Sequence, residues 1–459
     1  MVDTLGLTED QMRTLGYQVV DTVVQYLARR RDEPAIRVAP RAAIEHAIGT
    51  DLPRQGTDPA EALDKLHSAV LSHMQHGDHP RYFARVPSPS SFAGILGDWL
   101  AVGMNAIAST WAGASGPATL ELTVIDWLRE LLGMPEGTEG ILTSGGSIAN
   151  LIGLATCFSE RGRGVVYLND QTHASLRRNL LTLGVPAHDI RTLSTGDRLR
   201  FDVEALARAV ADDRAAGMRP VMIIANAGTT NTGSSDPLRE IALWCRSQGL
   251  WMHVDGAYGA PAALTAKGRA HLNGMELADS LVFDPHKWLF QPYGCGCLLV
   301  RHPGALENAF AMHPEYLRDS KGAECGEVDL YNRSIELTRR ARAIKIWMTL
   351  VTHGVDGVAA AVARGIALAE HAERFIRDDE RTWELVTPAQ IGVVTFAKRD
   401  CRPGEHQRMV NRLSASGFAT LSTTELGGRS VLRLCTINPL TTTTELEQTL
   451  QRLAKMADS

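Results

Sequence analysis

Leu281-Val282-Phe283-Asp284-Pro285-His286-Lys287-Trp288 decides how the rest of this chain reads. Its first three residues are the β-branched and aromatic kind that fill a short buried strand. Pro285 fixes φ and lacks a ladder donor, so the strand stops at a turn. Beyond the turn one lysine stands between an imidazole and an indole. A lysine used as a nucleophile needs partial desolvation and a neighbour that disfavours its charge, and this setting could supply both. Taken alone, the same residues also describe a surface turn with a solvated lysine. What else falls at strand ends settles the choice.

From Glu139 onward strand and helix patterns alternate, the signature of a largely parallel sheet with right-handed crossovers. Ile141-Leu142 leads into Thr143-Ser144-Gly145-Gly146-Ser147, with a helix expected over Ile148–Cys157. Glycines before a helix N-terminus let backbone amides converge on a phosphate, and Ser147 adds a hydroxyl. The stretch is neither a P-loop nor GxGxxG, and a bare GGS turn is also an ordinary turn. Strand Val165–Leu168 runs into Asn169-Asp170-Gln171-Thr172-His173, which puts His173 at the edge where open α/β sheets bind ligands. Strand Val221–Ala225 precedes the polar loop Asn226–Gly233, containing Thr229. Strand Leu250–Val254 ends in Asp255-Gly256-Ala257-Tyr258-Gly259. A carboxylate closing an apolar strand is costly to bury without a cationic partner, and a protonated pyridine nitrogen is such a partner. Lysine, aspartate, histidine and the glycine-serine turn together are the parts needed to hold pyridoxal phosphate.

Composition bounds the alternatives. The chain has 459 residues, 44% hydrophobic and 22% charged, with a net charge of −5. That suits a globular protein with a large core and gives no reason to expect nucleic acid or a membrane as partner. Seven scattered cysteines argue against a disulfide framework, and Cys295-Gly296-Cys297 lacks a second pair at zinc-ligand spacing, so no metal is expected. Without a signal-like start, a cytoplasmic location is expected.

Thr8-Glu9-Asp10-Gln11 has capping-box spacing and opens an amphipathic helix that closes at Arg29-Arg30-Arg31, basic residues suited to the helix dipole. Its apolar face is too much for a short arm to bury, so packing against another subunit is expected. Helices are expected over Phe92–Ala108 and, after the breaker Gly116-Pro117, over Leu120–Leu132. A mobile loop is expected over Glu315–Glu327, closing on Val328–Tyr331, then a helix Thr338–Val351 capped near Gly354. A C-terminal α+β unit follows, with strands Ile391–Phe396 and Val431–Cys435 and helices Val355–Ile376, Glu405–Ser416 and Thr444–Met456. Arg433, inside the last strand, wants an anion partner, either a structural carboxylate or a substrate.

These residues resemble the pyridoxal-phosphate-dependent group II amino-acid decarboxylases, most closely the aromatic-L-amino-acid decarboxylase branch. DPHKW at 284–288 joined to His253-Val254-Asp255-Gly256-Ala257-Tyr258-Gly259 carries the likeness, which extends from the N-terminal helices to Arg433. The resemblance implies an α/β protein of fold-type I architecture, with a mostly parallel seven-stranded sheet. It implies a helical N-terminal dimerisation segment (1–78), a large cofactor-binding domain (79–354) and a small C-terminal α+β domain (355–459). It implies pyridoxal 5'-phosphate as cofactor. Lys287 matches the Schiff-base lysine with His286 beside it, Asp255 the partner of the pyridine nitrogen, and Ala257 and His173 the residues on the ring's two faces. Gly146 and Ser147 match phosphate ligands, Thr229 flanks the cofactor, and Tyr331 matches the loop tyrosine that returns a proton to the α-carbon. Tyr82, Phe83, Pro87 and Ser88 match one wall of the substrate pocket. Ile107 and Ser109 match another, with serine where aromatic decarboxylases place phenylalanine. Arg433 lines up with an arginine that glutamate decarboxylases use for the substrate carboxylate.

The implied reaction is decarboxylation of an aromatic L-amino acid (tryptophan, tyrosine, phenylalanine or dihydroxyphenylalanine) to the amine and CO2. The 104–110 segment matches one that crosses the family's dimer interface, so a homodimer with its site at the subunit boundary is expected. Three readings compete. Relatives with phenylalanine at the Tyr331 position tend towards oxidative deamination to an aldehyde. A decarboxylase of glutamate, aspartate or cysteine sulfinate would need pocket cations, for which Arg81 and Arg85 are the nearby candidates. A cofactor-binding protein without catalysis is disfavoured by the complete set of lysine, aspartate, histidine and tyrosine.

Overall fold

The computed structural model describes residues 5–312 and 326–456. Seven strands form the central sheet: β1 (Glu139–Thr143), β2 (Val165–Asn169), β3 (Ile190–Leu193), β4 (Pro220–Asn226), β5 (Trp251–Asp255), β6 (Ser280–Phe283) and β7 (Gly296–Val300). Their spatial order is β1-β7-β6-β5-β4-β2-β3. β3, β2, β4, β5 and β6 are mutually parallel, while β7 runs antiparallel to both β6 and β1. Every residue of β5, β6 and β7 is buried, as expected of strands covered by helices on both faces. This topology positions the site. Because β2, β4, β5 and β6 point the same way, Asn169, Asn226, Asp255 and Asp284 all emerge along one edge. β1 shares that direction, so the glycine turn after Thr143 arrives there too.

A four-stranded antiparallel sheet follows: β8 (Trp383–Gln390), β9 (Val393–Lys398), β10 (Ser422–Leu426) and β11 (Arg429–Cys435), in the order β10-β11-β9-β8. Helices Glu405–Ala415 and Thr443–Lys455 cover it around Val394, Phe396, Leu432 and Leu434. The long helix Ala343–Asp378 links the two sheets and breaks at Gly354 (φ 67°, ψ 162°), one residue before the expected junction. It is long and apolar enough to cross a membrane by length and composition. Ile346, Val358, Val362 and Ile366 on it belong to the core, while Val351 and Val355 stay exposed.

The N-terminal helix Glu9–Arg29 carries the expected capping box between Thr8 and Gln11, and none of its residues is buried. Met12, Tyr17 and Val24 stay exposed. The arginines after it do more than complement a dipole. Arg30 pairs with Asp78 at 3.2 Å, and Arg31 with Glu445 at 2.5 Å, which ties the arm to the C-terminal helix.

Two helices differ from expectation. Phe92–Gly103 stops short of Ala108 because Asn105 turns left-handed (φ 48°) and Ala106 and Ala108 pair with the backbone of Arg339–Ala341. The next helix begins at Trp111, not Leu120, and runs to Leu131 with Pro117 inside it. Its break lies at Ala114 (φ −155°), so Pro117 falls in the first turn of the second segment, where amide donors have no helical acceptor anyway. The expected loop Glu315–Glu327 lies outside the described residues except for its last two positions.

Candidate active site

Lys287 is set by a very short element. Asp284 ends the β6 approach, Pro285 opens a single helical turn, Pro285–Trp288, and Trp288 is wholly buried. Trp288 stacks on Tyr258 with ring centroids 5.4 Å apart and planes within 1° of parallel. Tyr258 donates its hydroxyl to the Ile391 carbonyl of the smaller sheet. The indole is therefore an anchor that fixes where the lysine emerges.

Around it lies a cavity of about 350 Å³, lined by Gly145, Gly146, Ser147, His173, Thr229, Asp255, Ala257, His286 and Lys287 among others. This is the lower end of the size range for small-molecule sites. At one end the helix Gly146–Arg161 presents its first turn, with the Gly145 backbone at φ 157°. A side chain at Gly146 would meet Asp284 Oδ2 at 2.9 Å, so only glycine leaves this cradle open. In the same lining Asp255 is 7% exposed and accepts a hydrogen bond from the Ala257 amide at 3.0 Å. Burial raises the Asp255 pKa, while that amide, Lys287 and His173 pull it back. His173 caps the helix Ala174–Thr182, its Nδ1 held 2.8 Å from the Ser175 hydroxyl. His286 accepts from the Cys295 amide at Nδ1 (3.3 Å), and burial lowers its pKa, which favours the neutral ring.

A buried polar network supports this edge. Asp236 accepts from Asn169 Nδ2 (3.0 Å), the Phe201 amide (2.7 Å) and the Asn226 amide (2.7 Å). Burial raises its carboxyl to about 6 despite those donors. Asn226 itself lines the cavity, so Asp236 orients the cavity wall from behind.

Residues 43–399, more than half of the chain, match the model of the pyridoxal-dependent decarboxylase conserved domain. An aromatic-L-amino-acid decarboxylase from Bacillus atrophaeus is 41% identical, with 100% of this chain and 98% of that protein covered. A phenylacetaldehyde synthase from Arabidopsis thaliana is 29% identical over 95% of this chain and 93% of its own length. The solved structure of Oryza sativa TDC with PLP and tryptamine superposes with a TM-score of 0.92 at 28% identity, covering 98% of both chains. This chain belongs to the pyridoxal-dependent decarboxylase family. It is a carboxy-lyase whose cofactor is pyridoxal 5'-phosphate, and its two-sheet architecture is the family's.

The cavity fits that cofactor on its own terms. A phosphate suits the open glycine cradle at a helix N-terminus. A protonated ring nitrogen is the kind of cationic partner that a buried carboxylate such as Asp255 needs. The eight residues proposed from sequence as cofactor ligands (Gly146, Ser147, His173, Thr229, Asp255, Ala257, His286 and Lys287) all line this one cavity.

The substrate-side residues do not converge in the same way. Ser88 reaches the site's backbone, donating its hydroxyl to the His286 carbonyl. Tyr82 is buried, donates to Gln75 Oε1 at 2.8 Å and lines a separate cavity with Arg85. Phe83 packs into the core of the smaller sheet. Arg433 is 2% exposed and donates to the carbonyls of Thr230 (2.7 Å), Asn231 (3.2 Å) and Arg85. Its main partners are therefore backbone oxygens, not a carboxylate. Ile107, Ser109 and Tyr331 do not line the Lys287 cavity; Ile107 bridges to Arg340, and Ser109 and Tyr331 are neighbours. The Tyr331 amide donates to the Ser109 carbonyl at 3.2 Å, and Ser109 Oγ accepts from the Arg339 amide at 2.8 Å. Tyr331 is buried, at 2% exposed.

Sequence reasoning missed three features. Asp284 read as a turn residue, yet its carboxylate is 3% exposed and 2.9 Å from Lys287 Nζ. Asp236 had no signal beyond a carboxylate in a polar loop. Glu121 and Arg339 form a wholly buried pair at 2.5 Å, although Glu121 sits among apolar helix positions where a buried carboxylate was not expected.

Proposed function

We propose that this decarboxylase acts on an aromatic L-amino acid, yielding the amine and CO2 at a site completed by a second copy of the chain. The observation that carries the reading is the cavity itself: a lysine, a buried aspartate, a capping histidine and an open helix N-terminus converge on one volume. The relative at 41% identity over the full chain supports the aromatic substrate. So does the disposition of the candidate cations. Arg81 is committed to the Phe418 and Arg31 carbonyls and to Glu445, and Arg85 lines the separate cavity, so neither offers a charge to an acidic side chain here.

In this reading Lys287 would hold the cofactor's carbonyl carbon, Asp255 its ring nitrogen, and Gly146 and Ser147 its phosphate. Ala257 and His173 bound the ring's two faces. Bound there, the cofactor supplies the electron sink for the pair left behind when CO2 departs. Asp255, buried in the cavity wall, would hold a positive charge on the ring nitrogen, and low polarity would make that interaction strong. His173, fixed as a helix cap, limits tilt. Tyr331 delivers the proton to the α-carbon, as Tyr331 of the partner subunit. Exposed Leu100, Val102 and Met104 border the segment carrying Ile107 and Ser109, and exposed Met12 and Tyr17 lie on the N-terminal helix. Apolar surface of this kind favours burial against a second copy.

The test is product analysis by mass spectrometry, with holoenzyme incubated in air with a panel of L-amino acids. Amine from an aromatic substrate, without peroxide, supports the proposal. Aldehyde with ammonia and peroxide transfers the assignment to the aldehyde synthases, and turnover confined to acidic amino acids overturns the substrate class.

A further inference from the structure

We infer that Asp284 is the counter-ion that governs the charge of Lys287, and so the rate at which the lysine captures the cofactor. This rests on the reading that Lys287 is the capturing residue. The two groups share one turn and meet at 2.9 Å, Asp284 being 3% and Lys287 25% exposed at the side chain. Asp284 has few other commitments. Its Oδ2 lies 3.7 Å from His286 Nε2, beyond hydrogen-bond reach, and Oδ1 has no hydrogen-bond partner among the described residues. Both oxygens face the first turn of Gly146–Arg161, where a Cβ on Gly146 would approach within 2.9 and 3.1 Å. A carboxylate so placed has one strong cationic partner, and the lysine has one close anionic one.

The groups that face Lys287 come from every wall. Asp284 and His286 lie on its own turn, Asp255 ends β5, His173 caps Ala174–Thr182, and Tyr293 follows on the strand approach. Burial alone would push the ammonium's pKa down. Asp284, by charge and hydrogen bond, and Asp255 by charge, outweigh it and hold Lys287 above the ordinary lysine value. Capture requires the free amine. The ammonium loses one proton to solvent, the nitrogen lone pair adds to the aldehyde carbon, and the carbonyl oxygen leaves as water with the two remaining amine hydrogens. Asp284 opposes the first of these events. It favours the reverse, because a lysine displaced by the substrate's amine returns to a waiting anion.

The experiment uses full-length enzyme freed of cofactor and follows the visible band of lysine-bound pyridoxal 5'-phosphate by stopped flow from pH 6 to 9. With its partner ion removed, Lys287 in Asp284→Asn loses stabilisation of the charged form, worth about one to three pH units. The variant is expected to capture cofactor roughly tenfold faster or more at neutral pH, and its rate to level off at a lower pH. Superimposable profiles, or a slower variant throughout, overturn the inference while leaving the role of Lys287 intact. No lysine-bound band in the wild-type enzyme overturns the underlying reading instead. Amine labelling of the wild-type apo-chain, read by peptide mass spectrometry, needs no variant. Lys287 is expected to label at higher pH than exposed Lys65, and labelling at lower pH refutes the pairing.

Discussion

The cleft around Lys287 and the cluster around Ser109 and Tyr331 are built on different principles. The cleft draws its residues from the ends of parallel strands, so β2, β4, β5 and β6 bring His173, Thr229, Asp255 and Lys287 to one edge within a single chain. The cluster is made by zipping two distant segments together. Ala106 and Ala108 pair with Ala341 and Arg339, Trp111 donates its amide to Asp329 at 2.7 Å, and Arg339 also binds the Ala108 and Leu142 carbonyls. The buried Glu121–Arg339 pair clamps this zipper to β1, since Glu121 accepts the Leu142 amide at 3.0 Å. The cleft gathers the cofactor-site candidates, whereas Ser109 and Tyr331 are not among the residues that line it. On the proposed reading, in which a second copy completes the site, the two regions meet only across a subunit boundary.

Five variants would break or sharpen this contrast. Lys287→Ala strikes the cleft alone. Turnover should fall by about three orders of magnitude or more, with loss of the visible lysine-bound band and little change in thermal stability. Arg339→Met strikes the clamp. It strands the Glu121 carboxylate in the core and should cost about 3–5 kcal/mol in chemical denaturation. A Glu121→Leu, Arg339→Met double variant should recover much of that loss, because two well-packed apolar groups replace the pair.

Mixing decides whether the two regions meet. Tyr331→Phe should bind cofactor normally but lose about 10²-fold in amine formation, with aldehyde and peroxide appearing. Co-refolded with inactive Lys287→Ala, it should regain roughly a quarter of wild-type activity, because half the dimers then carry one intact shared site. Absence of any recovery places Tyr331 in its own subunit's chemistry or outside the reaction. The smallest effect belongs to Tyr82→Phe. Losing the hydrogen bond to Gln75 should cost about 0.5–1.5 kcal/mol of stability. KM should stay unchanged if Tyr82 serves packing, and a several-fold rise in KM would return it to the substrate wall.

Most of the central sheet was legible because buried parallel strands are continuous apolar runs bounded by polar turns. The strands that escaped notice, β3, β8 and β10, are all sheet edges. An edge strand pairs on one side and carries polar residues on the other, so β10 reads Ser-Thr-Thr-Glu-Leu and β8 even contains Pro388. Helix starts failed at Pro117 for a related reason. A proline signals a break only when its amide would have been needed, and the break at Ala114 had already removed that need.

The sequence by itself picked out the residues that line the cleft. Residues that follow parallel strands share an edge whatever the loops between them do, so motif and strand order together placed Lys287, Asp255 and His173. Only the tertiary structure decided that Asp284 pairs with Lys287, that Arg433 holds backbone carbonyls, and that Ser109 and Tyr331 keep company with each other rather than with the lysine. Those outcomes depend on which partner a charged or polar group reaches after 200 or more residues of intervening chain for Arg433 and Tyr331, and on side-chain direction within one turn for Asp284. Hydrophobic periodicity is a local property of the sequence; the satisfaction of buried polar groups is a property of the whole fold.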